Sequence, residues 1–231
     1  FDLLYLMYEE KGYQKRDIPT LILKNNLCGL DVDKRAAQLA AFSLVMKARS
    51  INARFFSETY YVEPRVYEIW DSRYLIGHNY KTVISETKAL NADELNDIGY
   101  LAESFRNGKT IGSLVKLKPI DFVRLDGAID KLENIVVRDI FNSEFFNFGL
   151  PILKKLSRQA KILLGQYDVM ITNPPYIGIS TMEDAVKKYA VENYPNSKSD
   201  MFAMFMETGF VKKNGFLAMI NMHSWMFLSS F

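Results

Sequence analysis

The sequence holds almost nothing from which to build a soft-ligand metal centre or a disulfide framework: one cysteine, Cys28, and two histidines among 231 residues. A lone cysteine excludes an internal disulfide and suits a reducing compartment, so a cytoplasmic location is expected, with no bound metal. No apolar run reaches the length of a membrane span, and the first residues lack the layout of a signal peptide. Neither sign of charge dominates, since 29 Lys and Arg against 27 Asp and Glu leave only +2. A strongly basic footprint is therefore missing, although a basic face can be balanced by acids elsewhere. No Gly-x-Gly element, internal repeat or low-complexity tract occurs. What the chain does have is apolar material, at 48% hydrophobic residues, enough for one sizeable core or a core with an appended lobe. It opens at Phe1 inside a helical pattern and stops at Phe231 soon after an apolar segment, which reads as a piece incomplete at both ends.

Along the chain, Leu3, Leu4, Met7 and Tyr8 recur at helical spacing, with Gly12 at a C-terminal stop. The apolar run Leu27–Val32 has the character of a buried parallel strand. Asp33 follows where a helix N-cap belongs, and strong helix formers continue to about Arg49. Strand, turn and helix in that order are the building block of α/β folds. From residue 52 to about 165 the pattern turns mainly helical, over Asp93–Arg106, Asp121–Asn134 and Pro151–Leu164, with a strand candidate at Glu63–Trp70. This stretch is expected to be an ordered insertion or subdomain between residues 1–51 and 166–231. Tyr167–Thr172 (YDVMIT) is again strand-like and runs directly into Asn173-Pro174-Pro175-Tyr176. Loop-like residues come next, then a helix over Asp200–Val211 ended by Asn214-Gly215, and a buried strand FLAMIN leading to His223, Ser224 and Trp225. Ligands of open α/β sheets bind beyond the carboxyl ends of the strands, where Asp31, the 173–176 turn and the 221–225 segment all fall.

The turn carries the chemistry. Each proline fixes its own φ, removes a backbone N–H, and pushes the residue before it out of the α region. The 173–175 stretch is therefore stiff, extended, rich in carbonyl acceptors and poor in donors, and the Asn173 side chain adds one more acceptor oxygen. Such a corner matches a group that offers two N–H donors, as an aromatic amine does. Tyr176 supplies a flat face for a planar base, worth about 1–3 kcal/mol per stacked base. The amine of adenine is a poor nucleophile because its lone pair is delocalised into the ring. Acceptors on both N–H bonds, from the Asn173 side chain and the Pro174 carbonyl, favour its pyramidal form and stabilise the positive charge that develops on alkylation. Such an atom is out of reach inside a duplex, so the base has to be flipped out. The bland reading is a rigid punctuation turn between strand and helix.

Asp31 is the second element. An acid at the end of a strand in a nucleoside-binding sheet accepts hydrogen bonds from both ribose hydroxyls, whereas its ordinary role is solvation or capping of the helix that begins near Asp33. His78 and His223 read as surface or packing residues. Lys187-Lys188 and Lys212-Lys213 read as solvated pairs, and Cys28 as a small core residue.

At these residues the sequence resembles the amino-methyltransferase family, and within it the large adenine-specific enzymes of bacterial phage defence, the BREX (PglX-type) methyltransferases and the fused type IIG restriction-modification methylases. NNLCGLDVDKRAAQLAAFSLVMKAR resembles the segment after that family's glycine-rich cofactor loop, YDVMITNPPYIG its catalytic motif, and SDMFAMFMETGFVKKNGFLAMINMHSWMF the helix, strand and loop beyond it. The resemblance covers roughly half of the chain. It implies a Rossmann-like, mostly parallel α/β sheet with helices on both faces, incomplete here, and S-adenosylmethionine as cofactor. It implies a target-amine site at Asn173, Pro174, Pro175 and Tyr176, a ribose-binding acid at Asp31, and an apolar neighbour of the cofactor adenine at Val32. It also places Phe202 and Phe205 in a helix flanking the cofactor pocket, although their i, i+3 spacing equally reads as core packing. Double-stranded DNA, and possible further subunits of a defence system, are the partners implied.

Two departures stand out. The family's glycine-rich loop is missing and is expected to precede Phe1, so this piece by itself is expected to bind cofactor weakly and to be inactive. The acid that would hold the cofactor's adenine amine has no assigned position, with Asp71 and the Gly112-Ser113-Leu114 turn as candidates. Alternatives stay open: an N4-cytosine target, a protein-glutamine or RNA amino-methyltransferase with a similar turn, or an inactive DNA-binding module. The long interval between Asp31 and Asn173 favours the phage-defence enzymes over their compact relatives.

Overall fold

A computed structural model describes residues 1–135 and 143–227. Residues 136–142 of the expected 52–165 insertion, and residues 228–231, lie outside the described residues. The chain divides into two compact units, Phe1–Ile69 and Trp70–Phe231.

In the first unit, α1 (Asp2–Glu10) precedes β1 (Cys28–Asp31), α2 (Lys34–Ile51) and β2 (Arg65–Glu68). The two strands pair in parallel, from Cys28 opposite Arg65 to Asp31 opposite Glu68. Parallel neighbours joined through a helix make this a βαβ unit. The start of α2 is fixed by Asp33, whose Oδ1 accepts the N–H groups of Arg35 at 2.6 Å and Ala36 at 3.1 Å. Those bonds, Ala36 first, hold the Asp33 carboxyl below its ordinary range. Leu23, Ala48 and Phe55 form a fully buried cluster that Phe1, Leu44, Val45, Tyr60 and Val62 flank. Cys28 is half-buried and carries a free thiol. The strand anticipated at Glu63–Trp70 thus exists and is paired within the first unit.

The second unit is built on three helices, α3 (Ala92–Ser104), α4 (Phe122–Glu133) and α5 (Leu150–Leu163). Their ends obey capping chemistry: Asn91 and Glu94 form a reciprocal capping box, and Asp121 accepts the N–H groups of Val123 and Arg124. Ile98 and Leu101 of α3, Leu125 and Leu132 of α4, and Leu153 and Leu156 of α5 are all fully buried. Gln159 on α5, also fully buried, clasps the peptide of Trp70 by accepting its N–H and donating to its carbonyl, each at 2.9 Å. Truncating such a core residue removes apolar contact and leaves a cavity. Leu156→Ala is expected to destabilise the protein by about 2–5 kcal/mol, and an unchanged urea midpoint would contradict this account of the core.

β3 (Tyr167–Thr172) follows and pairs in parallel with β4 (Val211–Met219), reached through α6 (Asp184–Asn193) and α7 (Met201–Met206). Three sequence expectations need correction here, the first being the buried strand at FLAMIN, where Phe216, Leu217 and Ile220 are exposed. The 177–199 segment is not all loop, because Val186 and Ala190 bury one side of α6. The helix expected over Asp200–Val211 ends at Met206, where Gly209 takes a φ of +73° just beyond it, a conformation that favours glycine. Asn214 and Gly215 therefore lie inside β4 instead of ending a helix. The register slips between Tyr167 opposite Val211 and Val169 opposite Phe216, so β4 carries a bulge. A Cβ on Gly215 would stand 2.6 Å from Val211 Cγ1 and 2.7 Å from the Asp168 carbonyl oxygen, which is why glycine occupies that position. Among the described residues no helix is long and apolar enough to cross a membrane.

Candidate functional site

β3 delivers the turn. Thr172 pairs opposite Met219, and Ile220 N–H donates to the Thr172 carbonyl at 3.3 Å, so the ladder runs to the last residue before Asn173. Pro174 is buried and anchors the corner, while Asn173 and Pro175 are exposed and Tyr176 is 43% exposed. The Tyr176 hydroxyl donates to the Ile220 carbonyl at 2.8 Å and lies 3.4 Å from Asn173 Oδ1. A hydroxyl has one proton, and the nearer acceptor takes it. Asn173 Oδ1 keeps its capacity to accept from an incoming N–H.

Behind the turn stands α7. Phe202 is fully buried and presents to Tyr176 at 6.2 Å between ring centroids with planes at 74°, an edge-to-face contact. Phe205 is 9% exposed. The structure thus brings Asn173, Tyr176 and Phe202 together, and leaves the open face of the turn accessible. Asp200 also belongs to this neighbourhood, although its sequence context signals only the start of a helix. Its burial pushes its carboxyl above the ordinary range, against backbone N–H groups of Phe202, Ile177 and Met201 that favour the ionised form. The legible signal was its type and place, an aspartate immediately before an apolar helix.

Asp31 and Val32 lie in the first unit, at the carboxyl end of β1. Asp31 is half-buried, and its Oδ1 accepts the Asp33 N–H at 2.8 Å. Its backbone carbonyl accepts Ile69 N–H at 2.8 Å, which pins the strand end, and Val32 is 51% exposed just beyond it. Asp31 is thus an ordered acid at a strand tip, and the capping role belongs to Asp33. Of the candidates for the adenine-amine acid, Asp71 is gripped by Arg73, with Nε at 2.9 Å and Nη2 at 2.6 Å from Oδ2. The 112–114 turn offers the Leu114 carbonyl, which already accepts Tyr194 Oη at 2.8 Å.

Two further sequence candidates have partners in the structure. His78 stacks on Tyr74 at 4.1 Å. Lys212 pairs with Asp168 at 2.8 and 2.9 Å, and that hydrogen bond holds the Asp168 carboxyl below its ordinary range. Among the described residues, no group of three or more His, Cys, Asp and Glu is placed to hold a metal ion.

β3 thus ends in a donor-poor Asn-Pro-Pro-Tyr corner, backed by the buried aromatic side chains of α7. The chain belongs to the Eco57I restriction-modification methylase family, whose family model matches residues 25–231. It is 36% identical over 249 residues to the adenine-specific methyltransferase BrxX of Escherichia coli O9:H4 (strain HS), a match that covers all of this chain and 20% of that protein. It is likewise 36% identical over 239 residues to the adenine-specific methyltransferase PglX of Lacticaseibacillus casei (strain Zhang), covering all of this chain and 19% of that one. The chain spans about a fifth of the length of these curated relatives.

Proposed function

We propose that this chain is the part of an adenine-N6 DNA methyltransferase, of a restriction-modification or BREX-type phage-defence system, that grips the target base. The observation that carries the reading is the turn itself: an exposed Asn173 with an available Oδ1, a Pro174 carbonyl beside it, and the half-exposed ring of Tyr176. Two relatives, both named as adenine-specific methyltransferases, support the choice of base. Their large size supports a longer polypeptide that meets double-stranded DNA, and other subunits of a defence system, through regions beyond this one.

In this reading a flipped adenine lies against Tyr176. Its two N6–H bonds are accepted by Asn173 Oδ1 and the Pro174 carbonyl, which directs the nitrogen lone pair out of the ring plane. N6 would bond to the methyl carbon as the methyl–sulfur bond breaks with its electron pair left on the departing thioether, and N6 would then lose one proton to solvent. S-adenosylmethionine supplies an electrophilic methyl group when bound. The residues of β1's tip fit its ribose: Asp31 is ordered through Oδ1 by the Asp33 N–H, its carboxylate keeps further acceptor capacity, and exposed Val32 beside it offers apolar surface.

The fold that fits this reading is a Rossmann-like sheet with helices on both faces. Parallel sheets occur almost only with both faces covered. Ile171 at 80% and Phe216 at 73% exposure fit strands whose covering layers come from a longer chain.

The test is direct. Full-length protein, double-stranded DNA and isotopically labelled cofactor are incubated, and the digested DNA is resolved by mass spectrometry. Label in N6-methyladenine is expected. Label in N4-methylcytosine would move the target to the other base, and label in protein or RNA but not DNA would overturn the reading.

A further inference from the structure

Two prolines leave the Asn-Pro-Pro-Tyr corner short of backbone donors, so a sheet ladder cannot hold it. One side is tied by Tyr176 Oη to Ile220. On the other side the chain runs past the start of α7: Met201 N–H donates to the Ile177 carbonyl at 3.0 Å, Ile179 N–H to Ser199 at 2.9 Å, and Gly178 bridges Asp200 antiparallel. At the centre of this contact sits the Asp200 side chain, 7% exposed. Its Oδ1 accepts Phe202 N–H at 3.2 Å, its Oδ2 lies on the Gly178 side, where a Cβ on that glycine would stand 3.8 Å from it, and the backbone N–H groups of Ile177 and Met201 favour its ionised form.

We propose that Asp200 is the positioning residue of the target-base turn: its buried carboxylate joins the backbone just after Tyr176 to the first residues of α7, and so sets where Asn173 and Tyr176 stand. This rests on the methyltransferase reading above and deepens it. A capping role alone would need one oxygen, directed at Phe202. The second oxygen faces the segment that follows the turn at Gly178, and burial of the carboxyl there favours its neutral form and so opposes stability when it is ionised. A residue kept for its cap could be serine or asparagine and avoid that burden.

Those two substitutions separate the roles. Asp200→Asn keeps one oxygen and turns a second acceptor into a donor, and Asp200→Ser keeps a helix cap too short to reach the segment at Gly178. In the full-length protein both are expected to melt close to the unaltered protein. Both are expected to lower kcat for DNA methylation roughly 10- to 100-fold, the effect of misplacing a reacting group by an ångström or less. KM for S-adenosylmethionine should stay within about 3-fold, because the change acts on the target-base side. Either variant folding and keeping the unaltered kcat would overturn the proposal. So would loss of the fold in both, which would make Asp200 a residue of stability alone. If the unaltered protein transfers no methyl group to DNA, the methyltransferase reading fails first. If it does so, and Asn173→Ala stops it while both Asp200 variants remain fully active, only the positioning role falls.

Discussion

Asn173→Ala is expected to lower kcat for DNA methylation about 100- to 1,000-fold, the scale on which one preorganised hydrogen-bonding group acts on charge that develops during a reaction. The geometry makes this a clean experiment. Asn173 is exposed, and the Tyr176 hydroxyl beside it directs its proton to Ile220, so the side chain is not what holds the turn. Fold and melting temperature should therefore survive the substitution. The backbone carbonyl of Pro174 also survives, leaving one of the two acceptors that the amine needs. Asn173→Asp, which retains acceptor oxygens but adds charge, should fall between the alanine variant and the unaltered protein. Methylation by Asn173→Ala within about 3-fold of normal would remove the turn from the mechanism, because one lost acceptor cannot be that cheap at a charged transition state.

The second large effect is expected at Asp31. Two hydrogen bonds from ribose hydroxyls to an ionised carboxylate, each worth about 1.5–3 kcal/mol, put the rise in Kd for S-adenosylmethionine near 100-fold or above in Asp31→Ala. Isothermal titration of the full-length protein measures it. Asp31 also accepts the Asp33 N–H, so alanine disturbs the turn that starts α2 as well as the ribose contact. Asp31→Asn separates the two: it keeps one oxygen for Asp33 and gives up an acceptor for ribose, so most of the affinity loss should remain while the helix start is preserved. Cofactor affinity unchanged in both variants would reduce Asp31 to a residue of local turn structure.

Local chemistry made much of this fold legible in advance. Asp33 caps α2 because a short acidic side chain before a run of helix formers has two free N–H groups to satisfy. β1, α2 and β3 follow from runs whose period is decided within a few residues. The turn was readable for the same reason, since proline's fixed φ and missing N–H need no tertiary context. Where the structure departs from local pattern, distant partners decide. Val211–Asn214 look like the tail of a helix, yet they pair across to β3 and carry a bulge that admits only glycine at 215. The helix Asp184–Asn193 hides in polar sequence because its buried side amounts to little more than Val186 and Ala190.

The sequence by itself determined the proline-stiffened corner and the acid at a strand tip, because both depend on covalent structure and on neighbours one to three residues away. Only the tertiary structure decided what supports that corner. Tyr176 finds Ile220 across 44 residues of chain, and Asp200 reaches the backbone beside Tyr176. Such contacts are selected by packing of the whole β3–α7–β4 layer, and no local pattern encodes which distant carbonyl or N–H will stand there.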